Sequence, residues 1–171
     1  LKTTITGIVT SPNSDSVKVY NSDYMFGARV NYKNEFTISM EIDSADYFTF
    51  YDGSETTAMY INPAQNIELT LDTELFDETI KYANSEESNF LAKKFLIEEE
   101  YFDSVDMDSI YNLSDTLYLE FFSTLEGLFL KELKTLSNKE FIHLEQENIA
   151  NKTTQGENWK KAYEKKKLAL E

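Results

Sequence analysis

The sequence predicts an α+β protein. An N-terminal antiparallel β-sandwich or open barrel of about seven strands fills residues 1–84, and a helical subdomain of three to four helices, residues 85–171, packs on it. Three observations predict this. Hydrophobic residues recur at every second position up to Asp72 and at every third or fourth position after Asn84. Turn-forming residues punctuate the first half at short intervals. Phe (12) and Tyr (11) supply enough large side chains for a core in a chain that is only 41% hydrophobic.

The strand pattern is clearest at Phe36, Ile38, Met40 and Ile42, which alternate with Thr37, Ser39 and Glu41. It repeats at Ile67, Leu69 and Leu71 against Glu68, Thr70 and Asp72. Shorter runs at Thr4–Thr10, Ser16–Tyr20, Ala28–Tyr32, Tyr47–Tyr51 and Thr57–Ile61 complete the set. Between them lie Ser11-Pro12-Asn13, Lys33-Asn34, Asp52-Gly53 and Asn62-Pro63, all residues that favour turns. With only 5 Gly in the chain, tight barrel corners are disfavoured relative to an open sandwich.

Helical spacing starts after Ser85-Glu86-Glu87-Ser88, whose hydroxyls and early acids suit a helix N-terminus. Phe90, Leu91, Phe95, Ile97 and Tyr101 form its stripe. A second helix is predicted from Ser114, with Leu117, Phe121, Leu125, Leu128, Phe129, Leu133 and Leu136 facing inward. Tyr118, Phe122 and Leu130 widen that face. A third begins near Ser137 and buries Phe141, Ile142, Leu144 and Ile149. The polar run Asn151–Glu157, with Gly156, is read as a break, and Trp159–Leu170 as a separate lysine-rich amphipathic segment.

Net charge is −15, which opposes binding to nucleic acid or to an anionic membrane surface. The absence of Cys removes disulfides, thiol nucleophiles, thiolate metal sites and Cys-X-X-Cys chemistry. His143 is the sole histidine, without a visible partner to orient it, and reads as a surface residue. The acidic run Glu98, Glu99, Glu100, Asp103, Asp106 and Asp108 does not follow the spacing of an EF-hand loop and reads as a solvated helix end. Asp72, Glu74, Asp77 and Glu78 offer carboxylates for hydrolytic chemistry, but turn capping accounts for them as well. Tyr47, Phe48, Phe50, Tyr51 and Tyr60 are either an aromatic platform for a glycan or protein, or packing residues. Alternation places Phe48 and Phe50 inward and Tyr47 and Tyr51 on the opposite face. The expected catalytic, cofactor and metal residues are therefore none.

The segments Tyr51-Asp52-Gly53, Thr57–Pro63, LTLDTELFDETIKY (Leu69–Tyr82), NFLAKKFLIEEE (Asn89–Glu100), FIHLEQENI (Phe141–Ile149) and KKKLALE (Lys165–Glu171) carry a resemblance. Together they are similar to the N-terminal module of TlpA-like thioredoxin-family proteins of the bacterial periplasm. The resemblance implies export, with or without a lipid anchor, and a thioredoxin domain as attached or separate partner. Because that family's redox residues lie in the thioredoxin domain, it implies no catalytic residue here. The expected function is a non-catalytic accessory module that recognises a partner or positions the redox domain. The alternative is a free-standing periplasmic protein that binds a glycan, peptide or lipid.

Overall fold

The computed structural model describes residues 1–171. It is α+β, with eight strands in two sheets followed by helices. The strands are β1 (Lys2–Thr10), β2 (Ser16–Tyr20), β3 (Met25–Arg29), β4 (Glu35–Glu41), β5 (Asp46–Tyr51), β6 (Thr56–Ile61), β7 (Asn66–Asp72) and β8 (Lys81–Ala83). A 3-10 turn (Thr73–Leu75) and α1 (Phe76–Thr79) separate β7 from β8. Then come α2 (Glu86–Asp103), α3 (Met107–Tyr111), α4 (Asp115–Leu133) and α5 (Lys139–Leu168).

One sheet has the order β4-β1-β7-β8, the other β3-β2-β5-β6. They are not closed into a barrel. The expectation of a purely antiparallel arrangement needs correction: β1 and β7 pair in parallel, with Ile5 opposite Ile67 and Gly7 opposite Leu69. The long connection from β1 to β7 passes through the other sheet, and that makes a parallel pair possible. The third strand lies at Met25–Arg29 instead of Ala28–Tyr32, because Asn31 accepts from the N–H groups of Lys33 and Glu35 and so turns the chain there. The eighth strand is too short to show a period.

Alternation is obeyed throughout β4, where Phe36, Ile38 and Met40 are buried, and Ile42 follows them inward. Residues of both sheets enter one hydrophobic cluster, including Ile5, Val19, Ile38, Phe50, Ile67 and Leu69, and Ala92 of α2 joins it. Gly7 is required there: a Cβ would lie 2.4 Å from the Phe36 ring opposite it.

The chain divides into two compact units, residues 1–96 and 97–171, with the boundary inside α2. In the second unit the predicted break at Asn151–Glu157 does not exist. α5 runs without interruption from its cap, Asn138, whose side chain accepts from the Phe141 N–H, to Leu168. The buried stripe of α4 is also shifted. Tyr118, Phe122, Leu125, Phe129 and Leu133 are buried, whereas Leu117 is 50% exposed, Leu128 is exposed and Phe121 is half-buried.

Candidate functional site

Two places in the molecule gather polar side chains on a buried framework. The first is the start of α2, in the sheet-bearing unit. Asn84 takes a left-handed backbone conformation (φ 65°), which asparagine tolerates, and Ser85 caps the helix by accepting from the Ser88 N–H at 3.2 Å. This aims two neighbouring side chains at two sheet edges. The Ser88 hydroxyl accepts from the Tyr60 N–H at 3.1 Å and donates to the Tyr60 carbonyl at 3.2 Å, on the free edge of β6. The Asn89 amide does the same on β8: its Oδ1 accepts from the Tyr82 N–H at 3.0 Å and its Nδ2 donates to the Tyr82 carbonyl at 2.6 Å. Each side chain thus takes the place of a neighbouring strand at that one edge residue. Tyr82 itself is buried, which pushes its phenol well above the ordinary range, with the Thr57 hydroxyl acting in the opposite sense.

The second place lies between α4 and α5. Tyr118 donates to the Gly156 carbonyl at 2.5 Å, and the Phe122 ring occupies the space a Cβ on Gly156 would need, within 2.7–2.9 Å. Glycine is what lets the two helices approach, so a residue read as a helix breaker is a packing residue. One turn further on, the Lys160 ammonium donates to the Leu113 carbonyl at 2.6 Å and to Asp115 Oδ1 at 2.8 Å. It also lies 5.3 Å from the centre of the Tyr118 ring. Lys160 is 8% exposed and Asp115 91% exposed, so the pair has its cation inside and its anion in water. The hydrogen bond and charge of Lys160 hold the Asp115 carboxyl below its usual value. Burial, assisted by Tyr111, pushes the Tyr118 phenol up to about 12.

Aromatic rings continue the cluster. Tyr163 stacks on Tyr111 at 4.8 Å, Tyr118 meets Phe122 at 5.1 Å, and Lys152 sits 5.2 Å above Trp159 while pairing with Glu98 at 2.5 Å. A cleft of about 270 Å³ opens beside this cluster, lined by Asp115, Tyr118, Leu119, Lys160 and Lys161 among others. Its central cation is already engaged by a carbonyl, a carboxylate and a ring. Glu157 and Glu164 also line the cleft, and Glu164 lies 3.7 Å from the Lys160 ammonium.

The other sequence candidates are dispersed. His143 is 72% exposed on α5, its Nε2 3.4 Å from Glu147. Of the acidic run, Glu98 pairs with Lys152 and Asp106 caps α3, where the Ser109 hydrogen bonds lower its pKa. Asp72 caps the 3-10 turn through the Glu74 N–H, and the Thr79 hydroxyl bridges the Asp72 N–H and carbonyl. Asp77 is raised, first by burial and then by Glu55 and Glu78. Phe48 and Phe50 are core; Tyr47 and Tyr60 meet edge to face at 5.1 Å, and Tyr51 donates to the Gly53 carbonyl. The sequence reading missed Lys160 and Gly156, which sit in a run too polar to signal burial. No helix is long and apolar enough to cross a membrane. Comparison of the chain with protein-family models, with curated proteins and with solved structures finds no match.

Proposed function

We propose that this chain is a non-catalytic interaction module, its two sheets forming a sandwich, of an exported thiol–disulfide oxidoreductase of the TlpA-like kind. It serves in the periplasm, with or without a lipid anchor, to recognise a partner or to position a thioredoxin domain. The observation that carries the reading is the use made of the segment around residues 66–95, where two of the segments similar to that family lie, Leu69–Tyr82 and most of Asn89–Glu100. Its polar groups are spent on architecture: Asp72 and Thr79 on the turn, Ser85 on the cap, Ser88 and Asn89 on the sheet edges. The same holds for the best-formed polar cluster elsewhere, where Lys160 and Asp115 fasten α5 to the start of α4.

The coding sequence beyond Glu171 tests the parent enzyme directly. A thioredoxin domain with a Trp-Cys-X-X-Cys motif is expected there; a stop codon refutes that part of the reading. A free-standing ligand-binding role has one observation in its favour, the cleft beside Tyr118 and Lys160. A thermal-shift screen with glycans, peptides and lipids separates the two, because a ligand of the native state raises the unfolding temperature by mass action.

A further inference from the structure

The outer faces of the two sheets differ in charge. The outward rows of β4-β1-β7-β8 carry four acids, Glu35, Glu41, Glu68 and Asp72, against Lys2 and Lys81. Those of β3-β2-β5-β6 carry no acid, in a chain whose net charge is −15. Asp46 opens β5 on the opposite phase, where its carboxylate accepts from Asn21 Nδ2 and from the Tyr47 N–H. The face presents two cations, Lys18 and Arg29, and four tyrosines: Tyr20 on β2, Tyr47 and Tyr51 on β5, and Tyr60 on β6.

The register gathers these rings around low ground. Thr49 has Tyr47 and Tyr51 two places away along β5, Tyr20 opposite it on β2 and Ala58 opposite it on β6. Side chains two apart on a strand, or paired across strands, share one face. Thr49 and Ala58 therefore floor a depression whose other three sides are phenol rings. Tyr60 is buried and meets Tyr47 edge to face, so that side is a fixed wall. Tyr20 and Tyr51 are half-buried and pack against no other ring. The Tyr51 hydroxyl donates to the Gly53 carbonyl at 2.8 Å, which draws its ring down along the strand. The cations lie to one side, Lys18 opposite both Tyr51 and Gly27, and Arg29 opposite Ser16. Gly27 leaves room for the Lys18 stem, whose Cγ is 3.7 Å from where a Gly27 Cβ would stand. Both cations are exposed, and neither enters an ion pair or a side-chain hydrogen bond. Exposed acids border the face in its loops, at Asp15, Asp23 and Glu55, while Asp52 is buried and bonded to Asn13. Apart from Met25 and Ala58 the outward rows hold no aliphatic side chain, which does not suit an apolar helix or an acyl chain.

We propose that this face binds a short acidic oligosaccharide. One sugar ring lies over Thr49 and Ala58 with its C–H face against Tyr20 and Tyr51, while the threonine and phenol hydroxyls meet its rim. Strand spacing sets β3 about 10 Å from β5, roughly two linked sugar rings away, so carboxylates further along the glycan reach Lys18 and Arg29. The net charge of the protein opposes a long polyanion, but at physiological salt screening confines that repulsion to about 8 Å. A short, sparsely charged glycan is the occupant that fits both the local cations and the overall field. The site goes beyond the accessory-module reading, which the coding sequence past Glu171 decides separately.

The test uses the whole chain with tetramers of galacturonate and of mannuronate, their methyl esters, and a tetraglutamate peptide. Calorimetry is expected to show at least one acidic sugar binding about fivefold more tightly than its ester, and the peptide not at all. NMR amide shifts are expected to place the sugar on β2, β3 and β5. Lys18→Ala is expected to weaken the acidic sugar about fivefold and to leave the ester unchanged. Tyr20→Ala is expected to weaken both about tenfold, and Tyr20→Phe, which keeps the ring, less than about twofold. Should Tyr20→Ala fail to fold, exposed Lys18 still decides. Tetraglutamate binding as well as the sugars overturns the proposal, because charge alone then explains the contact. An ester that binds as tightly as its acid overturns it, because the cations then have no role. So does failure of both acidic tetramers to bind, or amide shifts confined to the cleft between α4 and α5. A concentration-dependent dimer that shifts these same amides overturns it too, because the occupant is then a second copy.

Discussion

Residues 1–96 and 97–171 reach their buried cores by opposite routes. In the first unit each strand has one apolar and one polar row, so orientation is decided locally and the two sheets share a single cluster. In the second, α4 is apolar on most of its circumference, and its own sequence does not choose a face. The choice is made by α5, through Gly156 under the Phe122 ring and Lys160 over the start of the helix. Period settles orientation where one face is polar; where none is, a distant contact settles it.

The sharpest way to break this comparison is to truncate neighbouring rings of α4. Phe122→Ala is expected to cost about 3–5 kcal/mol, as for a fully enclosed aromatic. Phe121, half-buried between Tyr101 and Phe102, is expected to cost less than half as much. Urea unfolding of both variants measures the difference. Equal costs would show that the helix buries both faces and that the shifted stripe is wrong.

The same contrast explains what the sequence made legible. The strand runs at β4 and β7, the inward Phe48 and Phe50, the cap residues at Ser85 and Ser114, and the change of period near Asn84 were all readable, because each depends on neighbours in sequence. β8 was not, because three residues show no period. Continuous α5 was not, because Gly156 carries the local signal of a break and its actual role depends on a phenyl ring 34 positions earlier in the chain. Lys160 looked like part of a solvated lysine run; only the Leu113 carbonyl and the Tyr118 ring make it an interior residue.

Next in size come the two staples of α2. Ser88→Ala removes the one hydroxyl that serves both backbone groups of buried Tyr60, and is expected to cost about 2–3 kcal/mol. Asn89 is itself exposed, so water replaces much of what it gives Tyr82, and Asn89→Ala is expected to cost about 1 kcal/mol. Hydrogen exchange at Tyr60 and Tyr82 reports each edge separately; unchanged protection in both variants would remove the edge-closing role.

The two glycines inside helices sharpen the comparison further. Gly127 on α4 has nothing within 4 Å of where a Cβ would stand, so Gly127→Ala is expected to gain about 1 kcal/mol of helix propensity. Gly156→Ala makes the same gain but forces a methyl against Phe122, an overpacking cost of about 1–3 kcal/mol. A net loss of up to about 2 kcal/mol is expected, opposite in sign to Gly127→Ala. Two gains of the same size, measured by thermal unfolding, would show that α5 does not need its close approach to α4.

The smallest effect belongs to the acids of the sheet-bearing unit, where Asp77 sits half-buried near Glu55 and Glu78. Its pKa is raised above 3.8 in the folded protein, by burial first and by the two glutamates next. The folded state therefore binds this proton more tightly than the unfolded chain does. The stability linked to it is fully present below the unfolded value and is lost as pH rises through the folded one. At neutral pH the ionised carboxylate is a net cost, and Asp77→Asn is expected to stabilise by a few tenths of a kcal/mol, held small by solvent screening. That advantage should shrink as pH falls through the raised folded-state value, where the native carboxyl is itself protonated. Asp115 provides the opposite case in the helical unit, since its carboxyl is held low by Lys160 and its contribution fades only under stronger acid. Denaturant unfolding at neutral and acid pH decides: an Asp77→Asn gain that grows on acidification would mean the carboxylate has a favourable partner, and the crowding by Glu55 and Glu78 would no longer account for it.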